Sequence, residues 1–244
     1  MRQLRKLKDL AGYHLNALDG VIGELKQIYF DDRLWAIRYL VVHTGSWFFG
    51  DDVLIVPKVI QGLDEENLRL DVGLKRKQIE GAPPVDSKLP VSRHYELEYY
   101  RHYGWEPYWD TDSFLGIPPL VVTPQDAKPP KSPEEPHLRS SKEVTGYRIQ
   151  GRDDEIGKVG DFILDDHDWT VRYLVIDTGR WLPGKKVLVS PAWIEQINWE
   201  QGAIMVNLDC ALIQSAPEYD ASRVISRDYE LALYKHYGKA HEHV

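Results

Sequence analysis

The chain repeats itself. Laid over itself at an offset of 134, it matches without a gap from Gly12 over Gly146 to Gly104 over Gly238, and more than a third of those 93 positions are identical. IRYLVVHTGSW (37–47) meets VRYLVIDTGRW (171–181), VLIVP meets VLVSP, and SRHYELEYYRHYG meets SRDYELALYKHYG. Identity at that level points to a duplicated domain. The repeat confines the fold to something that closes a core within roughly 90–100 residues. It also supplies a filter, because a residue essential to the domain should stand in both copies.

The expected layout is a first repeat over 1–105, a linker over 106–145 and a second repeat over 146–244. Eight of the 15 prolines fall in 106–145. Proline fixes φ and lacks a donor N–H, which favours an extended connection. The first half of this linker carries Trp105, Tyr108, Trp109, Phe114 and Leu115. Aromatic surface is unfavourable in water, so this half is expected to pack on a domain or a partner. The second half reads as mobile.

Each copy reads as mainly β. Leu68, Leu70, Val72 and Leu74 alternate with polar residues, as do Ile204, Val206 and Leu208, which marks strands with one buried face. Tyr39–Val42 and Tyr173–Ile176 are continuous apolar runs suited to strands buried on both sides. Asp31-Asp32 and Asp165-Asp166 read as hairpin turns. Five or six short strands in so few residues predict a small barrel. One helix follows in each copy, with Ser92 and Ser226 as N-caps and Gly104 and Gly238 beyond the C-termini. Tyr95, Tyr99 and Tyr103 share one face of the first helix, and Tyr229, Leu233 and Tyr237 share one face of the second.

The filter bears on the chemistry. Asp177-Thr178-Gly179 after an apolar strand is how an aspartic protease presents a catalytic carboxylate. That chemistry needs two carboxylates sharing a proton, and the position matching Asp177 is His43. The triplet therefore reads as a turn, with a hydrolase using Asp177 across a dimer as the enzymatic rival. His94, Glu98 and His102 lie at i, i+4, i+8 and are a weak metal candidate. Successive members drift by roughly 40° around the axis, and the second copy offers Asp228, Ala232 and His236 instead. His241 and His243 form a further weak pair. Cys210 matches Arg76, so no thiol is common to both copies. The polar residues both copies keep include Asp19, Asp31, Asp32, Arg38, Thr44, Arg93, Glu96 and His102, and turns, caps and an Arg bridging strand to helix account for most of them. No catalytic residue and no cofactor is expected.

Composition narrows the partners. The formal net charge is −8. Nucleic-acid binding needs a basic face to neutralise phosphate, and Lys75-Arg76-Lys77, the best basic candidate, reads as a solvated strand end. A single cysteine forbids an internal disulfide and fits a reducing compartment. The charged start MRQLRKLKDL is unlike a secretory signal. No run approaches ~18 apolar residues, so no membrane span is expected, and a cytoplasmic location follows.

Gly12, Asp19, Ile22, Gly23, the strand at 37–42, the VLIVP block with Pro57 and the strand before Ala82-Pro83 resemble the PRC-barrel domain. The second copy repeats the pattern from Gly146 to Pro217. The family is named for the H subunit of the photosynthetic reaction centre and also ends a bacterial ribosome-maturation factor. The resemblance implies mainly β architecture, two small six-stranded barrels each followed by a short helix, and a docking role with no shared catalytic residue. Stand-alone members are bacterial or archaeal.

The reading that results is a non-enzymatic scaffold binding a protein partner, with the aromatic clusters Trp47, Phe48, Phe49 and Trp181, Leu182, and the linker's Trp105, Tyr108 and Trp109, as its contact residues. The rival for the two clusters is that they cover the barrel's open end. An accessory role beside a photosynthetic or electron-transfer complex is the alternative by analogy. Two barrels in one chain also suggest an intramolecular pseudo-dimer or a homo-oligomer.

Overall fold

The computed structural model describes residues 3–45, 51–85, 91–109, 138–179 and 184–239. They form two compact units. The first comprises Asp9–Ser140, and the second comprises Ser141–Val244 together with Met1–Lys8.

The chain opens with β1 (Leu4–Lys6) and the single turn α1 (Leu7–Leu10). The first unit continues through β2 (His14–Ala17), β3 (Gly20–Asp31), β4 (Ile37–His43), β5 (Asp52–Ile55), β6 (Ile60–Asp64), β7 (Arg69–Val72), α2 (Arg76–Glu80) and α3 (Arg93–Tyr103), and ends with β8 (Leu138–Ser140). Its strands are ordered β5-β4-β3-β2-β7-β6, with β8 on a second edge of β3. Every pair is antiparallel except β2 with β7.

The long strand β3 organises this sheet. Its register shifts between Leu25 and Gln27 and again between Tyr29 and Phe30. Such bulges bend a strand and raise its twist, so β3 pairs with β2 through Gly20–Glu24 and with β8 through Tyr29–Asp31. Gly23 permits a close approach: a Cβ there would lie 2.1 Å from the His43 carbonyl oxygen. β4 is buried along both faces apart from its last residue, His43, as its apolar run predicts.

The second unit has the same connectivity. It runs α4 (Ser141–Val144), β9 (Arg148–Gln150), β10 (Glu155–Asp165), β11 (Thr170–Asp177), β12 (Lys186–Val189), β13 (Ile194–Asn198), β14 (Ala203–Val206), α5 (Cys210–Gln214) and α6 (Arg227–His236). The strand order is β12-β11-β10-β9-β14-β13, with β1 on β10. Gly157 repeats the close approach, with a Cβ 2.1 Å from the Asp177 carbonyl oxygen.

Three expectations need correction. The barrels are seven-stranded mixed sheets whose hydrogen-bonded path does not close between its end strands among the described residues. A 3-10 turn, Pro57–Val59 or Pro191–Trp193, carries the chain between those end strands, and proline cannot donate to a ladder. Leu68 does not continue the buried alternation: it is 51% exposed, with φ of 49°, ahead of β7. The body containing 141–244 also holds the first eight residues, which the repeat boundaries assigned to 1–105. Each unit thus borrows a strand that precedes, in sequence, the first strand of the other unit's main sheet path.

The borrowed strands are integral. Leu138 of β8 joins the first unit's core with Tyr29, Tyr39, Val41, Leu54, Val56, Val91, Tyr99 and Tyr100. Arg139 Nε pairs with Asp32 at 3.1 Å, and Ser140 Oγ donates to Gln27 Oε1. In the second unit, Leu4, Arg5 and Lys6 face Asp165, Leu164 and Ile163. Arg5 Nε pairs with Asp166 at 2.6 Å.

Candidate functional site

The densest chemistry of the first unit gathers on α3. Ser92 Oγ accepts from the Tyr95 amide at 3.2 Å, satisfying one of the helix's open donors. The face predicted from Tyr95, Tyr99 and Tyr103 points inward, and Tyr100 is buried beside it. Tyr99 donates to the Leu54 carbonyl at 2.9 Å and meets Tyr39 edge-on at 5.4 Å. Tyr95 donates to the Pro83 carbonyl at 2.9 Å.

Glu96, fully buried, lies on the same helix. It accepts from Tyr39 and Tyr108, each at 3.1 Å, and pairs with Arg93 at 3.3 Å. Burial pushes its carboxyl up to about 7, against the pull of Arg93, the two phenols and Arg38.

The start of the linker covers this helix. Trp105 stacks on Tyr103 at 4.4 Å, with Lys58 Nζ 3.6 Å from the Trp105 ring centre. Arg38 lies over Tyr108 and Arg93 over Trp109, each at 3.9 Å. These cation–π contacts make a strap of residues 105–109. Burial lowers Lys58 to about 8. Of the linker half predicted to pack on a domain or a partner, residues 105–109 pack on their own unit.

The second unit solves the same problem without those residues. Glu230 accepts from Tyr173 at 2.8 Å. Trp193, where the first unit has Val59, packs against Tyr237 at 4.6 Å and Tyr234 at 5.3 Å. Arg172 is bound by Asp165 at 3.1 Å and by Asp168, which replaces Leu34.

The polar residues common to both copies meet equivalent partners. Asp19 accepts from the Arg76 amide at the start of α2 at 2.7 Å, and Asp153 from the Cys210 amide at the start of α5 at 2.8 Å. Asp31 accepts from the amides of Arg33 and Leu34, and Asp165 from that of His167. Thr44 and Thr178 donate across their hairpins to the carbonyls of Asp51 (2.8 Å) and Lys185 (2.9 Å). His102 and His236 donate from Nε2 to the carbonyls of Gln78 (2.8 Å) and Leu212 (2.7 Å), docking the long helix on the short one. Arg38 sits 3.6 Å from Asp31, within the β3–β4 hairpin, and its charge also reaches Glu96 on α3.

The other candidates fall into place. Asp177 Oδ1 accepts from the Gly179 amide at 3.0 Å, so DTG forms a side-chain-closed turn. His43 pairs with Asp52 at 3.0 Å, and the matching Asp177 stands opposite Lys186. His94 and Glu98 pair at 3.3 Å on the exposed side of α3, while His102 turns away to α2. Among the described residues, no three His, Cys, Asp or Glu side chains are grouped to hold a metal ion. The Cys210 thiol donates to the Asp154 carbonyl, and burial with the Asp153 contact pushes it up to about 11, far from a reactive thiolate at neutral pH. Trp47, Phe48, Phe49, Trp181, Leu182, His241 and His243 lie outside the described residues, as do Phe114, Leu115 and the rest of 110–137; the end of the linker, expected to be mobile, instead forms β8 and α4.

The sequence reading missed the two Arg–Asp clamps of the borrowed strands. The signal was present: Leu4-Arg5 stands over Leu138-Arg139 at the same offset of 134, just ahead of the aligned block.

Residues 137–211 match the family model of the PRC-barrel domain. No characterised protein matches the chain significantly. The matched stretch starts beside β8, a strand that pairs in the first unit, and runs into α5 of the second. Among the described residues, no helix is long and apolar enough to cross a membrane.

Proposed function

We propose that this chain is a tandem PRC-barrel protein, a duplicated and non-enzymatic scaffold that holds other proteins. One observation carries the reading: five polar residues shared by the two copies are engaged in caps, turns and buried clusters of their own unit. Asp19, Asp31, Thr44, Glu96 and His102, with their counterparts 134 residues on, all follow this rule. A duplicated enzyme would be expected to retain repeated polar groups converging on a cleft. The cleft lined by Asn16, Ala17, Leu18, Gln61, Gly62, Asp71 and Val72, of about 320 Å³, has no counterpart chemistry in the second copy, where Met205 replaces Asp71 and Glu195 replaces Gln61.

The contact surface proposed for a partner is the pair of aromatic segments Trp47-Phe48-Phe49 and Trp181-Leu182. Interface hot spots are enriched in such side chains. The strap residues Trp105, Tyr108 and Trp109 have a prior engagement with α3 and are secondary candidates.

The test replaces Trp47 and Phe48, or Trp181 and Leu182, with alanine in the full chain. Lost capture of a partner that the parent retains, at an unchanged melting temperature, is the expected result. Unchanged capture, or a fall in melting temperature accounting for the loss, would defeat it.

A further inference from the structure

The β10 edge at Ile163–Asp165 is a built strand-binding site. Three ladder positions receive Leu4–Lys6, and Asp166 closes the site. Its carboxylate accepts from the Gln3 amide at 2.8 Å and pairs with Arg5 at 2.6 Å, while its own amide donates to the Gln3 carbonyl at 3.1 Å. Lys6 Nζ donates to the Ala221 carbonyl at 3.0 Å. The first unit has the same receptor, with Asp32 holding Arg139 of the L-R-S strand.

The sequence domain and the folded unit differ by one strand. The PRC-barrel match begins at residue 137 and includes β8, yet β8 is laddered to β3 of the other unit. Exchange of an identical element between equivalent bodies is domain swapping. Within this chain the exchange is already written twice. We propose that it also operates between chains: the β10 site of one copy accepts residues Leu4–Lys6 of a second copy, and the second copy's site accepts the same strand in return. The occupant is fixed by the L-R-K sequence and by the Arg5–Asp166 clamp. The attachment is short: three ladder positions, the Arg5–Asp166 pair, the Gln3 and Lys6 hydrogen bonds and the buried Leu7, with the strand joined to β2 through the four-residue α1. A reciprocal dimer keeps every one of these contacts, each made to the second copy.

The test is charge complementation in the full chain. Arg5→Glu places two carboxylates at the clamp, Asp166→Lys places two cations there, and like charges at a half-enclosed contact oppose pairing. In a reciprocal dimer of one variant with the other, both clamps are complementary. The two variants, differently tagged, are refolded separately and as an equimolar mixture, then sized by light scattering. The expected result is a heterodimer in the mixture, about tenfold more abundant than any dimer of either variant alone at equal total concentration, the equivalent of about 1.4 kcal/mol. The double variant R5E/D166K, whose clamp is restored within one chain, should behave as the parent does. A mixture that stays monomeric would overturn the proposal, and so would a dimer equally abundant with either variant alone. Co-refolding keeps the experiment decisive if each variant alone folds poorly, because the dimer is then the only route to folded material carrying both tags.

Discussion

Leu68 and Gly202 occupy the same place in their units, the last residue of a turn before a strand, with φ of 49° and 58°. The carbonyl of each accepts from the first residue of the neighbouring strand, His14 or Arg148, at 2.9 Å. The left-handed conformation disfavours a side chain by roughly 1–2 kcal/mol, and glycine avoids that. Leu68 is half exposed and gains little from burial. Leu68→Gly is therefore expected to stabilise the first unit by about 0.5–1 kcal/mol. Gly202→Leu should destabilise the second by more, since a Cβ there would press the Tyr147 ring at 3.2 Å. Urea melts of the two variants check the opposite signs. Trp35 and Trp169 also have positive φ, 56° and 53°. Trp35 is expected to resist the same replacement, because burial holds it where it stacks on Phe30 at 4.9 Å.

At the scale of elements, α3 and its strap make a titratable joint. Burial raises Glu96 from the ordinary 4.5 to about 7, so the folded unit holds that proton more tightly than the unfolded chain. Linkage then gives the sign: the contribution to stability is full below about 4.5, declines as pH rises towards 7, and is lost above it. The span corresponds to about 3 kcal/mol as an order of magnitude. Glu96→Gln should flatten stability between pH 4.5 and 7, read from urea melts followed by tryptophan fluorescence. A slope unchanged by the substitution would assign the pH response to other groups. Much of this element was legible in sequence. The Tyr95, Tyr99, Tyr103 stripe, the Ser92 cap and the packing demand of Trp105, Tyr108 and Trp109 follow from spacing and hydrophobicity. The partners of Glu96 did not, because Tyr39 lies 57 residues away on β4 and no periodicity relates a strand phenol to a helix carboxylate. Helical spacing likewise places His94, Glu98 and His102 on one side but says nothing of the Gln78 carbonyl that takes His102.

At the scale of the molecule, the internal repeat could be read directly, since it is a property of the string. The strand exchange could not, because each borrowed strand is only three residues long and a ladder that short carries no alternation to detect. Its trace was the Leu-Arg pair repeated ahead of the aligned block. The exchange makes a prediction that sequence proximity would reverse. Residues 1–8 belong to the second unit's body, where β1 supplies a ladder and a clamp and Leu7 is buried. Deleting them should destabilise that unit by about 3 kcal/mol, the burial of one leucine plus a few hydrogen bonds. Hydrogen exchange followed by mass spectrometry on the full chain and on the deletion tests this most directly. Exchange is predicted to quicken across 155–177, in β10 and β11, and to stay unchanged across 20–31 and 37–43, in β3 and β4. Quickened exchange confined to 20–43, with 155–177 untouched, would contradict the exchange of strands on which the account of this molecule depends.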